Sequence, residues 1–68
     1  MNSIALQYAA DDARAEAEVC EHNARAARII GDHEAAKRLD ARAAGYHQRA
    51  EECDAERESL VLRSKVVR

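Results

Sequence analysis

Small and apolar residues recur along the first half of the chain at alternating steps of four and three. The positions are Leu6, Ala10, Ala13, Ala17, Cys20, Ala24, Ala27 and Gly31. This spacing places the residues in successive layers on one face of an α-helix, as in a coiled coil. Asn2 or Ser3 can cap the start of such a helix by accepting from its free N–H groups. The pattern predicts a helix over residues 3–30.

The rhythm is interrupted once, at Gly31 and Asp32, and then resumes. Gly31 suits the left-handed residue that follows a helix end, and Asp32 suits the N-cap of the next helix. After them the same steps run through Ala36, Leu39, Ala43, Tyr46, Ala50, Cys53, Arg57, Leu60, Ser64 and Val67. We predict a turn at residues 31–32 and a second helix over residues 33–59. Residues 60–68 are β-branched and basic, and frayed helix, tail and short extended segment all stay open for them.

Folding the chain at this turn pairs residues whose numbers sum to 63, such as Ala17 with Tyr46 and Ala24 with Leu39. Most of these layers set a larger residue against an alanine, which permits close helix packing. The predicted core of the hairpin comprises Leu6, Ala17, Cys20, Ala24, Leu39, Ala43, Tyr46 and Cys53. The two cysteines fall in different layers, so we interpret them as small buried residues and not as a disulfide. Gly45 costs up to about 1 kcal/mol relative to alanine, which suggests a close backbone approach there.

The first helix carries a second apolar face, roughly opposite the first. It comprises Tyr8, Ala15, Val19, Ala26 and Ile29, with Ile4 and Ile30 at its edges. A helix that is apolar on two sides is normally buried on two sides, and the second helix covers only one. We therefore predict an all-α fold: an alanine-rich, coiled-coil-like antiparallel hairpin that homodimerises into a four-helix arrangement. Whether this face forms the dimer core or binds another protein stays open, and Arg25, Arg28 and the segment from Leu60 extend the candidate surface.

Composition and charge support self-association. With 68 residues and no Pro, Trp or Phe, the chain can bury only a small core of its own. Residues 22–42 hold five basic and three acidic side chains, whereas the far end of the hairpin is acidic. An antiparallel copy would pair the basic end with the acidic one, although local pairs such as Glu21–Arg25 and Glu34–Arg38 are expected as well. No apolar run is long enough for a membrane span, and the two cysteines indicate no disulfide framework, so we expect a cytoplasmic protein.

Residues that could carry chemistry are sparse. Glu18 and His22 stand four apart, as do His47 and Glu51, but neither pair has the close Cys/His spacing of a zinc site. There is no nucleophile elbow or glycine-rich phosphate loop, and two helices form no pocket that excludes water. We therefore predict a protein that is not an enzyme, with no catalytic residues, cofactor or metal.

Two families of small helical hairpins resemble this chain. Its length, its short Asp-containing turn and its small-to-large core are similar to the plasmid copy-number RNA-binding proteins, which implies RNA regulation as an alternative function. The Ala/Arg-rich hairpin as a whole resembles accessory proteins of temperate phages, including anti-activators that act against quorum sensing. This second resemblance implies a phage- or bacterium-encoded inhibitor that binds a host protein, such as a transcription regulator, inside the bacterial cell. The net charge of −2 and the clustering of basic residues near the turn make nucleic acid the less favoured partner.

Overall fold

The chain folds as two long antiparallel helices joined by a tight turn. The computed structural model describes residues 2–66, with side chains described up to residue 64. Within that range it contains α1 (Ser3–Ile29) and α2 (His33–Val66) and no strand. The pair forms a rod of 58 × 14 × 13 Å. The predicted helical hairpin is confirmed.

Asn2 starts α1 as its N-cap residue. Its side-chain Oδ1 accepts a hydrogen bond from the backbone N–H of Ala5 at 2.8 Å, which satisfies one of the four free donors of the first turn. Of the two capping residues that the sequence offered, Asn2 therefore fills the position, and Ser3 is the first helical residue.

The turn is a Schellman motif followed directly by a new N-cap. Gly31 has φ +85°, a left-handed conformation, and its N–H donates to the carbonyl of Arg28 at 3.1 Å. The N–H of Asp32 donates to the carbonyl of Ala27 at 2.8 Å, which completes the motif. The Asp32 side chain then accepts from the N–H of Ala35 at 3.1 Å and caps α2. Since Ile30 is the C-cap residue, α1 ends one residue earlier than the predicted boundary.

Alanine fills most of the space between the helices. The buried residues of α1 are the predicted ones: Leu6, Ala10, Ala13, Ala17, Cys20, Ala24 and Ala27. On α2 the buried residues are Ala36, Ala43 and Ala50. We call these ten positions the seam. Because nine of the ten are alanine or cysteine, the two helix backbones pack closely, and the burial of small side chains holds the pair together.

The larger predicted core residues of α2 lie at the edge of the seam. Leu39, Tyr46 and Cys53 are half-buried, not buried. Tyr46 packs against the cluster that contains Ala17 and Ala43, and Cys53 packs against the cluster around Ala50. In their layers small residues of α1 occupy the space between the helices, so these three residues cover the seam from outside. Leu6, near the start of α1, is a large side chain that the seam does bury. Both cysteines are free and belong to different clusters.

The C-terminal half of α2 differs from the sequence-based prediction. The helix continues beyond residue 59 through Val66, so residues 60–66 are helical; residues 67–68 lie outside the described part of the chain. The expected close approach at Gly45 is wrong, because a Cβ added there meets no atom within 4 Å. Gly45 faces open space on the outside of α2.

Candidate interaction surface

The second apolar face of α1 is fully open to solvent in the single chain. Its large side chains are strongly exposed, with Tyr8 at 66%, Val19 at 55% and Ile29 at 85%. Ala15 and Ala26 lie between them and are exposed too. Ile4 and Ile30, at 64% and 80%, border the same surface. These seven residues are called the apolar stripe below.

The stripe lies almost opposite the seam. At 100° per residue, the mean directions of the two faces differ by about 160° around the axis of α1. The contact with α2 therefore covers none of the stripe, because α2 packs on the opposite side of α1. Asp12 and His22 lie on the same side of α1 as the stripe and are exposed as well. The result is a rigid apolar surface that runs along the length of one helix.

Ion pairs close one flank of the hairpin. Arg14 binds Asp54, Arg28 binds Asp40, and His47 Nε2 lies 3.4 Å from the Glu21 carboxylate. The three α1 residues are seven apart, and so are the three α2 residues, because each directly follows a core position of its heptad. Their side chains are 44–48% exposed, so the Arg14–Asp54 and Arg28–Asp40 pairs contribute about 0.2–1 kcal/mol each. The His47–Glu21 contact is an ion pair only when the imidazole is protonated. We call these pairs the ion-pair ladder.

The ion-pair ladder was missed in the sequence, although its spacing was visible there. The local pairs expected from the sequence differ from those that form. Glu34 pairs with Lys37 at 3.9 Å and not with Arg38, whereas Glu21 reaches across the hairpin to His47. Of the two arginines assigned to the candidate surface, Arg28 belongs to the ladder, and Arg25 remains exposed beside the stripe.

The opposite flank is more open and carries arginines of α2. Arg38, Arg42 and Arg49 stand four and seven residues apart and so share one side of the helix. All three are exposed, and none forms an ion pair within the described side chains. The guanidinium of Arg49 lies over the ring of Tyr46, 5.7 Å from its centroid. This flank therefore presents three arginines of α2 beside a half-buried aromatic ring, and Asp12 and Glu16 of α1 line the same depression as Tyr46 and Arg49.

The last turns of α2 extend beyond the start of α1. Arg57 Nε donates to Ser3 Oγ at 3.2 Å, and this hydrogen bond lies close to the end of the paired region. Past it, Leu60 is half-buried while Val61 and Leu62 are 42% and 55% exposed. This overhang adds apolar surface at the acidic end of the rod, far from the stripe's Ile29 and Ile30.

Among the residues that the structure describes, no group of three or more His, Cys, Asp or Glu side chains comes close enough together to hold a metal ion. The depressions on the surface are shallow and open, such as the one between Arg14, Asp54, Arg57, Glu58 and Val61. Over the same part of the chain, neither helix combines the length and apolar character needed to cross a bilayer.

Comparison of the chain with protein-family models, curated proteins and solved structures finds no match. Among the surface features of the hairpin, the apolar stripe points most directly to a binding role.

Proposed function

We propose that this chain is a non-enzymatic binding module whose apolar stripe docks onto another protein chain. The observation that carries the proposal is the exposure of Tyr8, Val19 and Ile29 on one face of a well-supported helix. Monomeric proteins rarely leave large contiguous apolar patches in water, and such patches commonly mark interaction sites. Large apolar and aromatic side chains also supply most of the energy of protein interfaces.

The proposed mode of action is occlusion. A rod with large exposed apolar side chains along one helix face, with Asp12 and His22 between them, suits insertion into a groove of another protein or replacement of one of its helices. The resemblance to phage anti-activators suggests that the target is a regulatory protein of a bacterial host, such as a transcription regulator. Arg25 beside the stripe would favour an acidic rim on that target.

Affinity capture from bacterial lysate tests this proposal, with three immobilised proteins: the wild type, Val19→Asp and Ala44→Asp. Val19 lies in the middle of the stripe, whereas Ala44 is exposed on α2 and serves as the matched control. We expect the wild type and Ala44→Asp to retain the same protein after nuclease treatment, and Val19→Asp to lose it. Undiminished capture by Val19→Asp would show that binding does not use the stripe.

RNA binding is a second candidate, and the arginine flank of α2 is the observation that favours it. Arg38, Arg42 and Arg49 could contact phosphates along one side of the rod. If RNA is the ligand, the wild type retains nucleic acid that nuclease removes, and Arg42→Glu abolishes retention while Val19→Asp does not. This pattern would replace the protein-binding proposal.

A further inference from the structure

We propose that the occupant of the apolar stripe is α1 of a second copy of this chain, packed antiparallel about a two-fold axis near residue 17. The inference rests on the proposed use of the stripe as a binding surface, and it names the partner. It would give a dimer whose two hairpins meet through their first helices only.

The face of α1 that carries the stripe has a heptad rhythm of its own, independent of the seam. It combines five residues of the stripe with three neighbours on the same face, at positions Ala5, Tyr8, Asp12, Ala15, Val19, His22, Ala26 and Ile29. Their steps alternate between three and four, and the order of steps reads the same from either end. A surface with this property fits an inverted copy of itself, which is the requirement for a two-fold interface.

The chemistry of the paired positions is complementary as well. In the antiparallel register whose paired numbers sum to 34, Tyr8 faces Ala26 of the second copy, and Val19 faces Ala15. Ala5 faces Ile29 in the outermost layer. A large side chain thus meets an alanine in each apolar layer, as in several layers of the hairpin's own predicted pairing. A surface that is apolar for another reason would not need to place a large side chain opposite an alanine in every apolar layer.

The polar positions also fit this register. The remaining layer sets the carboxylate of Asp12 against the imidazole of His22 of the second copy, which can donate to it. At the rim, Asp11 comes near Arg25, so the acidic start of each α1 lies beside the basic end of the other. Two contacts are unfavourable, since the two Glu18 side chains approach each other on one rim near the axis and the two Glu16 side chains do so on the other rim.

The size of the contact predicts a weak dimer. A helix of 27 residues is about 40 Å long, and with neighbouring axes about 10 Å apart the footprint is about 400 Å² per copy. This footprint is smaller than that of a standard specific interface, which buries about 800 Å² per partner, so we expect the dimer to be weak.

The geometry also predicts the shape of the assembly. Because the stripe and the seam lie on nearly opposite sides of α1, the four helices stand in a row, with the two α2 helices outermost. The axes of the two α2 helices would be about 25–30 Å apart. In a square four-helix bundle, diagonally opposite helices would lie only about 13 Å apart.

A size-swap experiment tests both dimerisation and register by sedimentation equilibrium. We expect the wild type to dimerise at micromolar concentration, and Ala15→Val and Val19→Ala each to weaken dimerisation roughly tenfold or more. The double variant restores the small-to-large layer and should return to within about threefold of the wild type. Since both positions are exposed in the hairpin, helicity by circular dichroism should stay unchanged. A wild type that remains monomeric, or a double variant no better than the singles, would overturn the proposal.

Cysteine cross-linking tests the direction of packing, in a background with Cys20→Ala and Cys53→Ala. The pair Ala15→Cys and Val19→Cys should give a covalent dimer on oxidation. Ala26→Cys alone should not, because the two Ala26 positions would lie about 25 Å apart in the antiparallel register. A covalent dimer of the Ala26→Cys variant would indicate parallel packing and refute the inference, whereas the double-cysteine variant would cross-link in either direction of packing.

The lysate experiment separates this inference from the proposed function. If Val19→Asp loses a captured protein but the wild type is monomeric, the stripe binds a different chain and only the present inference fails. If the swap rescue succeeds and no protein is captured, the dimer stands and the proposed docking to another protein fails.

Discussion

The alanine seam makes the hairpin sensitive to added volume, and Ala50→Leu tests this directly. Ala50 is 1% exposed and packs against Ala10 and Ala13, whose methyl groups cannot rotate aside to admit a leucine; Cys53 packs against this cluster from its edge. Overpacking a well-packed core typically costs about 1–3 kcal/mol. If the helices separate locally, the methyl groups of Ala10 and Ala13 also lose burial, worth about 0.8 kcal/mol each. We therefore expect the free energy of unfolding to fall by about 3 kcal/mol, which lowers Tm by about 12–24 °C in a domain of this size.

The measurement is thermal and urea unfolding followed by circular dichroism at one fixed protein concentration, because dimerisation would also contribute to stability. Ala44→Leu is the matched control, since Ala44 is exposed on the same helix and leucine has nearly the same helix propensity as alanine. Only the position relative to the seam differs between the two variants. If Ala50→Leu proved as stable as Ala44→Leu, the helices would not be held together by close alanine packing.

Three smaller predictions concern the backbone and the ion-pair ladder. Gly45→Ala should raise the free energy of unfolding by about 0.5–1 kcal/mol in urea titrations, because the added methyl meets no atom, and a decrease would contradict its open surroundings. Gly31→Ala should lower it by about 1 kcal/mol, since φ +85° strains a residue that has a Cβ, and an unchanged midpoint would argue against the left-handed turn. A double-mutant cycle of Arg14→Ala and Asp54→Ala should give a coupling of about 0.2–1 kcal/mol that shrinks in 1 M salt, and zero coupling at low salt would remove this pair from the ladder.

Spacing was the part of the sequence that predicted structure well. The alternating steps of four and three identified all seven buried residues of α1, and the Gly31-Asp32 pair identified the turn. Both signals are local: one depends on helical periodicity and the other on the backbone freedom of glycine and the hydrogen-bonding capacity of aspartate. Neither requires knowledge of how closely the helices approach.

The errors arose where tertiary packing decides. The β-branched segment after Ser59 weakened the helix prediction, yet Leu60 is half-buried and the helix continues to Val66. Tyr46 occupies a core position of the heptad but is only half-buried, because the alanines on both helices leave no space for its ring. The exposed stripe was predicted from the pattern; what covers it depends on a second molecule and remains a proposal.

A core made of alanine has a consequence for how such a protein can change. Nearly all its large side chains lie outside the seam, so the residues that define the fold and those available for recognition are largely different residues. Substitutions at the exposed positions could therefore build new binding surfaces with little cost to folding. The binding specificity of the hairpin could therefore diverge, or be redesigned, through substitutions at exposed positions while the small residues of the seam are kept.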